Sequence, residues 1–326
     1  MRVFRIAGRI LIGVLAGLLL LLVLLHLLVT VLYFDFFNHA KGEFIIPGLD
    51  TPFVPQGFDY IPGQGQYLIS GYMNDGTASR VYVRESDGDV FCTTLQQTDG
   101  GPYTGHAGGI CHNGDYVYIA GESGVDVFLL KDVLSGQSAR MQGTVNSGYE
   151  MAYCGFYNGY LLAGNFYYPG TFETPANHRI VSPAGDSNTG LMTVFVMDST
   201  AQFGINSVPV AAFSTPGQVQ GFCFTDDNTI VLSTSYGLHS STLQFYSVDT
   251  SRTSTLEVCG NQVPVFYLDS ANKYNQVKLP PMAEELVHRN GRIYILCESA
   301  SNKYFYGKFI RGYQVFSYDY QDEQVK

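Results

Sequence analysis

The sequence predicts an all-β fold: a β-propeller of five units, with six as the alternative count, preceded by one N-terminal transmembrane helix. The first observation behind this is a phrase that recurs five times, a short hydrophobic strand, a polar turn and a second strand ending in a small residue. Its copies read QGFDYIPGQGQYLIS from Gln56, GGICHNGDYVYIA from Gly108, MAYCGFYNGYLLAG from Met151, QGFCFTDDNTIVLS from Gln220 and EELVHRNGRIYILC from Glu284. Such periods, with turn residues inside each unit, indicate repeated antiparallel sheets, and closing them into a ring removes their edges. The second observation is an uncharged apolar run from Ile10 to Phe34 behind Arg2, Arg5 and Arg9. The third is composition, since 36 Gly, 24 Tyr and 22 Phe suit short aromatic strands joined by tight turns.

The N-terminal run holds 25 residues. At about 1.5 Å per residue this exceeds a hydrocarbon core of about 30 Å, whereas a cleavable signal core needs only about 7–15 residues. It ends in Tyr33-Phe34-Asp35-Phe36-Phe37, an aromatic interface belt and not a small-residue cleavage site. The expectation is an uncleaved single-pass anchor over 10–34 in the cell membrane, with residues 1–9 cytoplasmic and everything from Asp35 outside. Residues 35–42 read as a linker and 43–326 as the propeller. Beyond the anchor 28 acidic residues face 15 basic ones, a formal charge of −13, which argues against a nucleic-acid partner. No Asn-x-Ser/Thr sequon occurs, which favours a bacterial chain.

Each repeat extends downstream into further strands. Third strands are expected at 80–83, 125–129, 192–196, 243–246 and 313–316, and fourth strands at 90–95, 139–145, 208–213 and 255–258. The last copy has no fourth strand before the sequence stops, and the spare segment Glu43-Phe44-Ile45-Ile46 would supply it and close the ring. A sixth unit would have to come from the stretch between Val258 and Pro280, around Val263-Pro264-Val265-Phe266-Tyr267. Cys111, Cys154 and Cys223 hold one equivalent place in three repeats and read as packing residues, because equivalent positions of neighbouring units lie too far apart for a disulfide. An external compartment permits a disulfide elsewhere, with Cys92 or Cys259 as one partner.

In such a ring the second-to-third connections and the links between units share one face with the starts of the innermost strands. The long excursions of this chain fall on those connections. At the channel mouth the repeats place Gln56, His106, Glu150, Gln220, Glu284 and Glu285. Glu150, Glu284, Gln56 and Gln220 form a candidate oxygen shell for Ca2+, which takes about six to eight such ligands. Close carboxylates would alternatively serve as a general acid and base, and His106 is the candidate catalytic base. Tyr72, Tyr103, Tyr149, Tyr167, Tyr236 and Tyr304 crowd the same face and are candidate ligand-binding residues, as flat rings bearing a hydroxyl suit stacking on sugars or holding a peptide. Lys303, Lys308 and Arg311 add a basic patch suited to an anionic group or to nearby lipid. No Gly-x-Ser-x-Gly elbow or His-Glu-x-x-His helix is present.

Over residues 43–326 the repeat pattern resembles the calcium-dependent propellers of the gluconolactonase and strictosidine-synthase-like superfamily, and it looks like membrane-anchored bacterial propellers of unassigned function. In the lactonases a Glu opening an innermost strand, with Asn and Asp from other units, holds the metal. The resemblance gives that Glu role to Glu150 or Glu284, but Gln56 and Gln220 stand where Asn and Asp would, and five units depart from the usual six. Absence of Trp disfavours the Trp-Asp repeat propellers. Two functions follow: an externally displayed propeller that binds a glycan, peptide or protein on its loop face, or a Ca2+-dependent lactonase-like or esterase-like hydrolase acting at the channel mouth.

Overall fold

A computed structural model describes residues 2–321; Met1 and residues 322–326, the outermost parts of the expected cytoplasmic and propeller segments, lie outside the described residues. Helix α1 spans Arg2–Leu32 and helix α2 Phe34–His39. Within α1, Gly8–Leu32 is long and apolar enough to cross a membrane, and its most apolar stretch packs against nothing. After these helices the chain is mostly β-structure, and among the described residues its strands form five four-stranded antiparallel units, the outer strands of the first two joined in parallel. Unit 1 comprises Phe53–Ile61, Gln66–Met73, Arg80–Arg84 and Val90–Gln96. Unit 2 comprises Ile110–Asn113, Tyr116–Gly121, Gly124–Leu129 and Ser138–Asn146. Unit 3 comprises Tyr153–Tyr157, Tyr160–Gly164, Gly190–Met197 and Ile205–Thr215, and unit 4 Val219–Phe224, Ile230–Thr234, Ser241–Tyr246 and Lys273–Leu279. Unit 5 comprises Ala283–Arg289, Arg292–Cys297, Gln314–Asp319 and, at its outer edge, the N-terminal strand Ala40–Ile45.

The innermost strands adjoin in a closed cycle, unit 1 to 2 to 3 to 4 to 5 and back to 1. This cycle makes the molecule a β-propeller. Successive residues of a strand point to opposite faces, so each unit serves two neighbouring interfaces. In unit 2, Val117 and Ile119 pack with Leu68, Val81 and Val83 of unit 1, while Tyr118 and Ala120 pack with Leu161, Ala163 and Phe195 of unit 3. In unit 3, Leu162 and Val194 turn the other way, to Phe222, Ile230 and Leu232 of unit 4.

Glycine sets how close the inner strands can come. A Cβ on Gly109 would stand 2.3 Å from the Cys154 amide nitrogen, and one on Gly221 would stand 2.4 Å from the Glu285 Cα. A methyl group has no room at either place. The same closeness brings Cys111 Sγ to 3.6 Å from Cys154 Sγ, nearer than equivalent positions were expected to lie. All six cysteines are nevertheless free thiols, Cys92 and Cys259 included, so the expected disulfide is not formed.

Two expected elements differ. Residues 255–258 are not the outer strand of unit 4. Thr253–Val258 instead folds back on Asn261–Tyr267, and this hairpin joins the outer strand of unit 3 in parallel through Ala212 and Val265. The cause is the turn: Cys259 and Gly260 have φ of 50° and 74°, the two-residue geometry that matches strand twist and forces a tight hairpin. The Val263–Tyr267 segment is thus an appendage of unit 3, and unit 4 takes Lys273–Leu279 as its edge. Residues 35–42 are not a free linker either. Phe36 is fully buried against Phe316 and Tyr318, which turns the chain through α2 and directly into the closing strand at Ala40.

Candidate functional site

The axis is stoppered by one side chain. Glu285 is buried, and its Oε2 accepts hydrogen bonds from the amides of Phe58 (2.9 Å) and Ile110 (2.8 Å) while Oε1 accepts one from Cys154 (3.3 Å). A single carboxyl thereby ties together the innermost strands of units 1, 2, 3 and 5. Burial drives its pKa well above the usual carboxyl range, and the amide donors pull against that shift.

Above this stopper lies the mouth. Glu284 is buried, and the Gln220 amide nitrogen lies 3.4 Å from its Oε1. Gln56, also buried, donates from Nε2 to Glu298 Oε2 at 2.8 Å. Burial, then the Glu298 charge, pushes Glu284 well up. Glu298 is pushed up to about 7 by burial, against the hydrogen bond from Gln56 and the charge of Lys303. The two carboxyls repel one another's charge, so each favours the other's protonated form. The rim over them is aromatic and cationic. Tyr72 stacks on His106 with ring centroids 4.8 Å apart, and Lys303 Nζ donates to the Tyr72 hydroxyl at 2.5 Å. The same ammonium sits 5.0 Å from the Tyr304 ring centroid. The His106 ring stays open to solvent on one side, yet the surrounding walls desolvate it and Lys303 repels its proton, lowering it to about 4. A neutral imidazole at physiological pH can accept a proton or a hydrogen bond. Ala107, Gln218 and Met282, which lead into innermost strands of units 2, 4 and 5, all have φ between 52° and 66°; such left-handed non-glycine backbone gathers at functional places.

Gln56, Gln220, Glu284, His106, Tyr72 and Tyr304 are therefore brought together. The other expected residues are not. Glu150 is exposed in a separate depression of about 170 Å³ with Tyr149, Asn165 and Phe172, so it does not share a shell with Glu284. Among the described residues no group of three or more His, Cys, Asp or Glu could hold a metal. The Gln56 and Gln220 amides turn their nitrogens, and not the oxygens a cation shell would use, toward one oxygen each of Glu298 and Glu284. Tyr103 offers no face to a ligand, because it is buried and its hydroxyl donates to Asp126 Oδ2 at 2.8 Å. Tyr149 is bound to Thr193 and set edge-on to His178, and Tyr167 lies beneath the Arg179 guanidinium. Tyr236 stacks on Tyr168 at 3.8 Å, beside Phe166 and Phe172, in a second aromatic cluster on the same face.

Glu298 was not singled out from the sequence. Its signal lies in the repeat itself, since Tyr72, Glu122, Asn165, Ser235 and Glu298 directly follow the small residues Gly71, Gly121, Gly164, Thr234 and Cys297 at or near the end of a second strand. That position rings the mouth just as the starts of the innermost strands do. The far end of the axis holds a cavity of about 590 Å³ lined by Cys111, Cys154, Cys223, Phe156 and Phe224, with His112 bonded to Asp59 at 2.5 Å on its wall. Burial alone would lower His112; the Asp59 contact outweighs it and raises the pKa.

Comparisons with known proteins bear on the fold. No protein-family model and no curated protein matches the chain. Solved structures do. RS223 β-xylosidase matches at a TM-score of 0.50 with 9% identity, over 85% of this chain and 94% of that one. A putative oxidoreductase (glucose dehydrogenase) of Thermus thermophilus matches at 0.45 with 10% identity, over 85% and 99%. The gluconolactonase of Xanthomonas campestris matches at 0.40 with 11% identity, over 85% and 94%. At such identities the likeness is one of fold.

The carboxyl pair carries a pH prediction. Glu284 and Glu298 hold protons in the folded chain that an unfolded glutamate releases near 4.5. Their contribution to stability is thus complete below about pH 4.5 and is lost as pH rises through 7. His106 and His178, held neutral to about pH 4, act in the opposite sense, so the comparison that isolates the pair is with Glu298→Gln. Its melting temperature should fall less than that of the parent between pH 5 and about 7. Parallel profiles would show that Glu298 is already ionised in the folded chain across this range.

Proposed function

We propose that the chain is a membrane-anchored, extracytoplasmic ligand-binding propeller whose mouth site binds a glycan. The observation that supports this is the division of labour at the mouth. Tyr72 stacked with His106, and Tyr304 beside the Lys303 ammonium, form an aromatic rim, while Gln56, Gln220, Glu284 and Glu298 beneath them supply directional donors and acceptors. A sugar has the same two kinds of surface, C–H faces that stack on aromatic rings and hydroxyls that need both donors and acceptors. A carboxyl that keeps its proton can do both. The anchor part of the proposal rests on Gly8–Leu32, an apolar helix ending in an aromatic belt.

The test is a saccharide array probed with the full chain in nanodiscs, followed by calorimetry on the best oligosaccharide with Tyr72→Ala and Glu298→Gln. Losing one aromatic platform costs about 1.4 kcal/mol, so Tyr72→Ala should weaken binding about tenfold. Folded protein that binds no saccharide, or unaltered affinity in both variants, overturns the proposal, and binding of peptides on a parallel array would replace it.

A further inference from the structure

The path of the two helices places the mouth relative to a bilayer. Helix α2 lies against units 4 and 5. Its C-terminal end feeds Ala40, which pairs with Tyr318 at the far end of its strand from the mouth, since Ile45 pairs with Gln314 at the mouth end. One turn back, the Phe37 ring lies 4.3 Å from the Arg311 guanidinium, in the second-to-third connection of unit 5. Further back, the Tyr33 hydroxyl lies 3.1 Å from Ser240 Oγ, in the matching connection of unit 4. Both connections belong to the mouth face. Read from the strand toward the N-terminus, the chain climbs the side of the ring to the mouth face, and α1 leaves from there.

The end of the apolar helix thus coincides with the level of these loops. Their tips are apolar and open: Leu238, two residues before Ser240, is 68% exposed, and Phe309, two residues before Arg311, is 38% exposed. Cations gather on this same sector, at Lys278, Lys308 and Arg311, whereas acids of the mouth face such as Asp75, Asp99, Glu122 and Glu150 lie in the connections of units 1 to 3. Apolar tips beside cations, on a domain otherwise strongly acidic, match the chemistry of a headgroup layer over acyl chains.

We propose that the unit 4 and 5 sector of the mouth face rests in the headgroup layer of the bilayer that α1 spans, with Leu238 and Phe309 inserted as its apolar tips. The proposal rests on the anchor reading, and a ligand of the mouth then arrives along the membrane surface. The chain contains no Trp, so Leu238→Trp, Phe309→Trp and, on the opposite face, Tyr160→Trp each give a single reporter. The full chain is placed in phosphatidylcholine–phosphatidylglycerol nanodiscs with plain or brominated acyl chains. Bromine should quench emission at 238 and 309 about twofold or more and leave 160 unchanged, as tips at the acyl boundary require. Equal brightness of both loop reporters in the two lipids, with the chain held in the disc, overturns the docking surface and leaves the anchor standing. A chain that does not enter the discs overturns both. Melting temperatures matching the parent certify each variant as folded.

Discussion

Glu285→Ala should cost the fold about 3–6 kcal/mol, the largest effect of any single substitution considered. The change leaves the amides of Phe58, Ile110 and Cys154 without their acceptor in the buried centre of the ring. Each stranded donor costs about 1–3 kcal/mol, and release from burying a carboxyl offsets part of the sum. Since a domain holds only about 5–15 kcal/mol in total, much of the population would unfold near physiological temperature. Glu285→Gln, which keeps one oxygen but sets an amide NH2 against the remaining N–H donors, should fall between. Urea denaturation of the anchored chain in nanodiscs reads the effect, and an unmoved midpoint would show that packing alone holds the axis.

Gly221→Ala should come next, at about 3 kcal/mol. The new methyl would sit 2.4 Å from the Cα of Glu285 and 3.1 Å from the Glu284 carbonyl oxygen. Both obstacles are backbone, so no rotamer change relieves the clash, and the innermost strands of units 4 and 5 must move apart. That movement shifts Glu285 off its donors, which couples this variant to the first. In the double variant with Glu285→Ala the loss should be smaller than the sum of the two, because residues in contact do not add. Strict additivity would mean that the glycine and the carboxyl act separately.

Most of the ring was legible because it is written locally. Strand periodicity and turn residues mark each repeat, and the spare N-terminal strand could be matched to a unit that lacked one. The hairpin at Thr253–Val258 was missed because alternation identifies a strand without naming its neighbour. Its attachment depends on the left-handed pair Cys259-Gly260, a signal that competes with the rhythm of the repeat. The site was only half legible for the same reason. Gln56, Gln220 and Glu284 stand at repeated positions at the starts of innermost strands. Glu298 also holds a repeated position, after a second strand, whereas Lys303 meets the site only through tertiary contact, across the junction between unit 5 and unit 1. Glu150 and Tyr103 fit the pattern equally well and are set apart by a displaced depression and by a buried partner, neither of which a linear pattern contains.

The strand Ala40–Ile45 also imposes an order in time. It precedes every other strand of the ring, yet its ladder partner among the described residues is Gln314–Asp319, which follows all of them. The aromatic residues of α2 wait for the same late partners, Phe316 and Tyr318. The strands of the other units must all emerge before this one finds its place. Closing so long a loop is slow, and until then an unpaired edge stays open to neighbouring chains. A helix lodged in the membrane would keep that waiting edge tethered and dilute in two dimensions. Unit 5, and not unit 1, then decides when the ring closes.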